Sequence, residues 1–277
     1  KKIVITGANG QVGRALQKVY PQALALDREQ LDITNQKAIN EFNWDNVKVI
    51  INAAAWTDVD GAENPSNYNL VKAVNVDATS YLATAASQHD LTFVTFSSDY
   101  VFDGSQPIHN EDETFSPLNI YGKTKADGDL AAATTIKHYI IRTSWVIGDG
   151  RNFVNIMQDL AARGVRPSVV NDQIGRLTFT DTLAHGIKHL LEIGAPYGTY
   201  NLTNEGQPVS WADIAKIVFE KSGKSPSDVQ PVSTAEYFAD KPNTAKRPLQ
   251  STLDLTKIEK TGFIPEDWRD KLDKLLD

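Results

Sequence analysis

Tyr121 and Lys125 stand four residues apart in Tyr121-Gly122-Lys123-Thr124-Lys125, so a helix places both on one face. An ammonium near a phenol favours the phenolate, lowers the tyrosine pKa and makes the phenol a better acid at neutral pH. Ser97 and Ser98 follow the apolar run Phe93-Val94-Thr95-Phe96, where a hydroxyl could hydrogen-bond a reacting oxygen. Taken alone, a Tyr-x-x-x-Lys spacing also describes an ordinary solvated helix face. A second set is Gly7-Ala8-Asn9-Gly10-Gln11-Val12-Gly13. Its glycines let the backbone turn tightly and approach a pyrophosphate, and a following helix offers free N–H groups to it. The spacing is Gly-x-x-Gly-x-x-Gly, not the usual Gly-x-Gly-x-x-Gly, and glycine turns also open ordinary strand–helix units. Asp27 adds weight: it lies twenty positions beyond Gly7, where an acidic residue accepts the adenosine ribose hydroxyl. Arg28 follows and could contact a 2′-phosphate, so NADH and NADPH both stay open as cofactors.

These groups need elements to hold them. Ile3-Val4-Ile5-Thr6, Ala23-Leu24-Ala25-Leu26, Val49-Ile50-Ile51-Asn52, Phe93-Val94-Thr95-Phe96 and Tyr139-Ile140-Ile141 read as short strands buried on both faces. Helices are expected to begin near Gln11, Thr34, Tyr68 and Tyr121. Such alternation implies a parallel sheet with right-handed crossovers, an α/β fold of the doubly wound Rossmann type. In such a sheet ligands bind outside the carboxyl ends of the strands, which brings the glycine loop, the serines and the Tyr–Lys pair together. The second half is less regular. Helices are expected near 152–163, 182–193, 210–222 and 267–276, with Ser210 as an N-cap. Pro and Gly clusters at 194–198 and 222–231 mark connections. The expected division is a dinucleotide-binding domain over 1–148 and a smaller, mainly substrate-binding domain over 149–277, with segments free to interleave.

Further motifs extend the pattern: Asn52-Ala53-Ala54-Ala55-Trp56-Thr57-Asp58-Val59-Asp60-Gly61-Ala62-Glu63, Asn75, Ser97-Ser98-Asp99-Tyr100-Val101-Phe102-Asp103-Gly104 and Pro117-Leu118-Asn119-Ile120-Tyr121-Gly122-Lys123-Thr124-Lys125. Arg142-Thr143-Ser144-Trp145, Asn171-Asp172-Gln173-Ile174-Gly175 and Arg247-Pro248 complete it. With these blocks the chain resembles, over nearly its whole length, the extended short-chain dehydrogenase/reductases, and within them the branch that reduces dTDP-4-keto sugars. The resemblance implies NAD(P)H-dependent reduction of the C4 ketone of dTDP-4-dehydro-β-L-rhamnose to dTDP-L-rhamnose. It makes Tyr121 the proton donor and Lys125 its pKa modulator and ribose ligand. Ser98 stands where the family usually has threonine, keeping the hydroxyl and losing a methyl. Cofactor contacts would come from Gly7, Asn9, Gly10, Gln11, Val12, Gly13, Asp27 and Arg28. Asp32, Ile33, Ala53, Ala54, Ala55, Thr57, Asn75 and Ser97 would join them. Ser98, Asp99, Tyr100, Trp145, Gln173 and Arg247 would face the substrate. Arg176-Leu177-Thr178 and Ile147 depart from the family's usual residues near the sugar pocket.

Particular residues separate the alternative readings. The nucleotide-sugar 4,6-dehydratases carry an Asp-Glu pair after the hydroxyl residue, whereas here Asp99 is followed by Tyr100. A reductase or epimerase acting on another nucleotide sugar keeps the Tyr–Lys pair, and a non-catalytic nucleotide-binding regulatory relative keeps the fold without turnover. His185-Gly186-Ile187-Lys188-His189 has the histidine spacing of a zinc-protease helix, but Gly186 replaces the required glutamate, so two surface histidines are expected. Trp44, Trp211 and Trp268 read as packing residues and Trp145 as a site residue. Beside Lys246, Arg247 is expected to clamp a diphosphate. Some members of the resembled family are magnesium-linked dimers with a carboxylate in the first helix. Here Arg14 and Ala15 follow the glycine loop, so no Mg²⁺ is expected, and a monomer or a metal-independent dimer is.

Composition bounds the rest. The 277 residues include no cysteine, which excludes a disulfide scaffold, a thiolate zinc site and a cysteine nucleophile. A net charge of −7 argues against a nucleic-acid partner. No apolar run approaches a membrane span, and the opening residues reach Gly7 too soon for a signal peptide; a cytoplasmic protein is expected.

Overall fold

A computed structural model describes residues 2–277. Five strands come from the first half of the chain: β1 (Lys2–Thr6), β2 (Leu24–Leu26), β3 (Val47–Asn52), β4 (Thr92–Ser98) and β5 (His138–Thr143). They lie in the order β2-β1-β3-β4-β5, and a sixth strand, Gly198–Asn201, pairs with β5 at the far edge. Every pairing is parallel. From β1 the chain moves outward to β2 and returns on the other side to β3. That reversal puts the switch point, where such sheets bind ligands, outside the carboxyl ends of β1 and β3.

The inner strands are mostly apolar because both faces of the sheet are covered, whereas the edge strand β2 leaves Leu24 exposed and buries only Leu26, against the expectation that it is buried on both faces. Ile3, Ile5, Val49, Ile51 and Ile141 face α1 (Gln11–Val19) and the helix Thr180–Ile193, packing with Leu16, Leu183 and Ile187. Val4, Ile50, Phe93 and Ile140 face the opposite way and pack with Leu82 and Ala86 of the helix Ala78–Gln88. Successive strand residues alternate between the two layers, as the period of two requires. Helices start at Gln11, Gln36, Tyr68 and Ile120, within two residues of the expected points. The Asn35 and Asn119 side chains accept the amides of Ala38 and Gly122 and so fix two of those starts. The helix from Tyr68 passes through a π turn, Ala73–Asp77, before continuing as Ala78–Gln88.

The second half builds a separate core. Val154 and Met157 from the helix Phe153–Ala162, Ile214, Val218 and Phe219 from Trp211–Lys221, and Trp268 and Leu272 from Trp268–Leu276 pack together. A capping box between Ser210 and Asp213 starts the middle helix, as the N-cap reading expects. Short pairings join these helices: Ile174–Gly175 with Val209–Ser210, Ser168–Val170 with Gln230–Val232, and Val146–Ile147 with Thr178–Phe179. None of them was expected, since two or three residues carry no periodicity. The sixth sheet strand was also missed. Gly194 ends a helix at φ +61° and Gly198 opens the strand at φ +141°, so the strand hides behind a glycine-rich connection. Sheet residues therefore come from both sides of position 148.

Candidate active site

The segments that follow the carboxyl ends of β1 to β5 open on one cavity of about 780 Å³. At one end the glycine loop crosses the segment after β3. Gly7 has φ +72°, and a Cβ there would lie 2.4 Å from the Ala54 nitrogen. A Cβ on Gly13 would lie 2.2 Å from the Gly7 carbonyl oxygen, so only glycine lets these backbones meet. No side chain caps α1 at Gly10, which leaves its first amides turned toward the cavity end without a side-chain partner. Asn9 Nδ2 donates to Asp27 Oδ2 at 3.4 Å, while Asp27 Oδ1 accepts the amides of Glu29 and Gln30. Arg28 is exposed and lies 3.8 Å from Asp32. These residues line an adjoining cleft. Ile33, Ala53, Ala54, Ala55 and Thr57 line the main cavity beyond them.

At the other end Ser97 and Ser98 finish β4, and Tyr121 and Lys125 project from the helix Ile120–Ala132. The Ser98 hydroxyl donates to Asp99 Oδ1 at 3.3 Å and accepts the Tyr100 amide at 3.0 Å. Tyr121 opens onto the cavity but lies deep in the protein. Desolvation pushes its phenol up to about 12, and a hydrogen bond with Ser98 pulls the other way. Lys125 Nζ donates to the Phe96 carbonyl at 2.6 Å. Burial lowers its pKa and Asp129 raises it. Burial of the ring is thus the largest influence on the phenol, and the Lys125 amine is engaged by a backbone carbonyl. Asp99 is pushed up to about 6 by burial, against hydrogen bonds from Ser251 and Ser98. The Tyr100 ring meets the Tyr121 ring edge-on, with centroids 5.9 Å apart.

Trp145 follows β5 in the left-handed region at φ +49°, a conformation that costs a bulky residue about 1–3 kcal/mol. Its indole stacks on Trp211 with centroids 3.9 Å apart, and both rings line the cavity. A Cβ on Gly175 would lie 3.0 Å from the Trp145 ring, so glycine gives the indole its room. Four lining residues carry buried polar atoms without a protein partner: Gln11 Oε1, Asp99 Oδ2, Thr143 Oγ1 and Ser144 Oγ. Buried polar atoms are nearly always satisfied, so their presence along the cavity lining fits a long polar ligand such as a dinucleotide with its co-substrate.

The family model described as RmlD substrate binding domain matches residues 1–277. The chain belongs to that family. It is 40% identical to a dTDP-4-dehydrorhamnose reductase of Aggregatibacter actinomycetemcomitans, over 97% of this chain and 96% of that one. A solved dTDP-4-dehydrorhamnose reductase from Clostridium acetobutylicum superposes with a TM-score of 0.90 at 37% identity, covering 99% of this chain and 98% of that one. A Bacillus anthracis dTDP-4-dehydrorhamnose reductase in complex with NADP gives a TM-score of 0.90 at 33% identity, with 99% and 98% covered.

Within this RmlD-family chain, four expected site residues lie off the cavity wall. Gly13 supports the loop from behind. Asn75, in the π turn, accepts the Trp56 amide at 2.9 Å and donates to Thr124 Oγ1 at 3.1 Å, so it props the segment after β3. Gln173 donates to Thr234 Oγ1 at 3.1 Å. Arg247, expected as a diphosphate clamp, instead holds Asp60 with two hydrogen bonds of 2.7 and 2.9 Å and lies over the Phe238 ring. Thr143 and Ser144 were missed as wall residues, although the rule that ligands sit past strand ends marks them. The sequence presents Trp211 as a packing residue. It packs on Phe153 as well as on Trp145, and only the fold shows that it also faces the cavity. His185 is exposed and His189 half-buried, each bonded to a backbone carbonyl, at Asp181 and Thr261. Arg14 pairs with Asp149 at 2.7 Å. Among the described residues no helix is long and apolar enough to cross a membrane, and no group of three or more His, Cys, Asp or Glu is arranged to hold a metal ion.

Proposed function

We propose that this chain is an NAD(P)H-dependent reductase that converts the C4 ketone of dTDP-4-dehydro-β-L-rhamnose to the alcohol of dTDP-L-rhamnose. The observation that carries this reading is one cavity running from the glycine loop and Asp27 to Ser98, Tyr121 and Lys125, in a chain 40% identical to a reductase of that name. When bound, the reduced nicotinamide supplies the hydride. The α1 N-terminus and Gly7–Val12 would hold the pyrophosphate, Asp27 the adenosine ribose, and Arg28 a 2′-phosphate where there is one. Tyr121 gives its phenolic proton to the C4 oxygen, and Ser98 hydrogen-bonds the same oxygen. Lys125 would serve the nicotinamide ribose and keep the emerging phenolate close to a positive charge. Asp99, Tyr100 and Trp145 orient the sugar.

In this scheme residues 1–148 serve mainly the dinucleotide and 149–277 mainly the substrate, with Gly198–Asn201 lent to the sheet. Arg247, with Gln173, supports the substrate side from outside the wall. The assembly is a monomer or a dimer formed without metal. Incubating 4-keto sugar nucleotides with NADPH or NADH and identifying the products tests the activity. Conversion of the dTDP-4-keto-6-deoxy sugar to its 4-alcohol is expected. Cofactor binding without turnover of any 4-keto sugar would favour a regulatory relative instead. Sedimentation with and without EDTA tests the assembly, and dissociation on chelation would refute it.

A further inference from the structure

Behind the Tyr–Lys pair lies a buried charged cluster that the reaction scheme leaves unused. Tyr121, Lys125 and Asp129 recur at intervals of four along the helix Ile120–Ala132, so one face presents all three. Lys125 and Asp129 then grip adjacent residues of β4. Lys125 Nζ donates to the Phe96 carbonyl at 2.6 Å, and Asp129 Oδ2 accepts the Ser97 hydroxyl at 2.8 Å. The parallel register pairs Ser97 with Arg142 of β5, whose Nη2 donates to the same Asp129 oxygen at 3.1 Å. The Arg142 and Asp129 side chains are only 3% and 5% exposed. The rings of Phe102 and Phe115 cover the guanidinium. Asp129 itself does not line the cavity.

We propose that Asp129 is a positioning residue: anchored by Arg142 and Ser97, it keeps Lys125 an ammonium and fixes the end of β4 against the catalytic helix. A buried lysine without a counter-charge sheds its proton, so an amine placed this deep needs a carboxylate nearby. Burial raises the Asp129 pKa, and Arg142 opposes that rise through its charge and its hydrogen bond. Among the described residues the surroundings offer Lys125 no second anion. On its own helix Tyr121 is neutral. Asp99, after β4, bears on Tyr121 and is faced by Ser98, Ser251 and His109. The π turn presents neutral Asn75, and its Asp77 is paired with Lys72 at 2.7 Å. Glu63 accepts the Ile120 amide, and Glu111 accepts the Asn201 amide.

The inference rests on the reductase reading, and its test separates the two. Asp129→Asn, Asp129→Glu and the double variant Asp129→Asn/Arg142→Gln are compared with the unaltered chain. NADPH affinity is measured by fluorescence titration from pH 6 to 9, and kcat/KM over the same range. The double variant leaves no orphan guanidinium, so it stays folded if the single Asn variant does not. In both Asn-containing proteins the alkaline limb of both profiles is expected to move down by at least one pH unit. NADPH affinity then falls at least tenfold at pH 8.5 and less than threefold at pH 6, while Asp129→Glu stays within threefold throughout. Profiles matching the unaltered chain, or a loss equal at every pH, would overturn the proposal. If the unaltered chain binds NADPH but reduces no 4-keto sugar, the reductase reading fails, and the binding titration still decides the role of Asp129.

Discussion

The two ends of the cavity are built on opposite principles. The glycine-loop end uses backbone: Gly7 and Gly13 allow contacts that any Cβ would block, and its charged side chains, Asp27 and Arg28, stay in contact with water. The Tyr121 end uses side chains buried deeply enough to change their acidity. Tyr121 is pushed up to about 12, Asp99 to about 6, and Lys125 downward. A backbone cradle tolerates solvent because N–H dipoles do not titrate. A proton donor must be screened from water, and the screening displaces the pKa of every group beside it. Substitutions at the buried end should therefore act on chemistry and pH response, and those at the open end on cofactor choice.

The largest effect is expected from Tyr121→Phe, which removes the proton and keeps the ring. Turnover should fall about 10²–10⁴-fold while NADPH affinity changes little. A Phe variant as fast as the original would move the acid elsewhere and break the contrast.

Next comes the stability contributed by Asp99. Its folded-state pKa of about 6 lies above the ordinary 3.8, so the folded protein holds the proton more tightly than the unfolded chain. Stability therefore declines as pH rises from about 4 to about 6, by about 3 kcal/mol, and stays reduced above that window. Asp99→Asn should remove this decline. Urea unfolding of both proteins at pH 4 and pH 7 checks it, and an equal difference at the two pH values would rule out the buried carboxyl as the cause.

Trp145→Ala sharpens the comparison from the sugar side. Loss of the stack on Trp211 should raise the KM for the sugar nucleotide about 3- to 10-fold, with NADPH affinity unchanged. A matching loss of NADPH affinity would mean that the indole serves both ligands.

The smallest effect is expected at the open end. Arg28 has 76% of its side chain exposed, so its attraction for a 2′-phosphate is screened. Arg28→Ala should weaken NADPH about 2- to 5-fold and leave NADH alone. Equal losses with both cofactors would show that this side chain does not read the phosphate.

Much of the first half was legible in the sequence because its information is local. Four of the five apolar runs are buried on both faces, the edge strand β2 being the exception, and the glycine loop and Asp27 are separated only by α1 and that short strand. The spacing of Tyr121 and Lys125 states their common helix face outright, and continued by one more turn it reaches Asp129. The strand Gly198–Asn201 and the two-residue pairings were not legible, since they are too short to show a period and owe their conformation to the partner strand. Nor does any local pattern say that Arg247 is taken by Asp60, 187 positions away, or that Trp211 stacks on Trp145.

The sequence by itself thus determined the chemistry available: a backbone cradle, a phenol, an amine and hydroxyls, each set by residue type and near-neighbour spacing. Tertiary structure decided which of these groups are buried and what faces them. Desolvation and pairing are properties of the packed neighbourhood: β4 and β5 bring Ser97 and Arg142 onto Asp129, and a loop from the far end of the chain takes the carboxylate of Asp60. Such neighbours are distant along the chain and adjacent only once the sheet has formed.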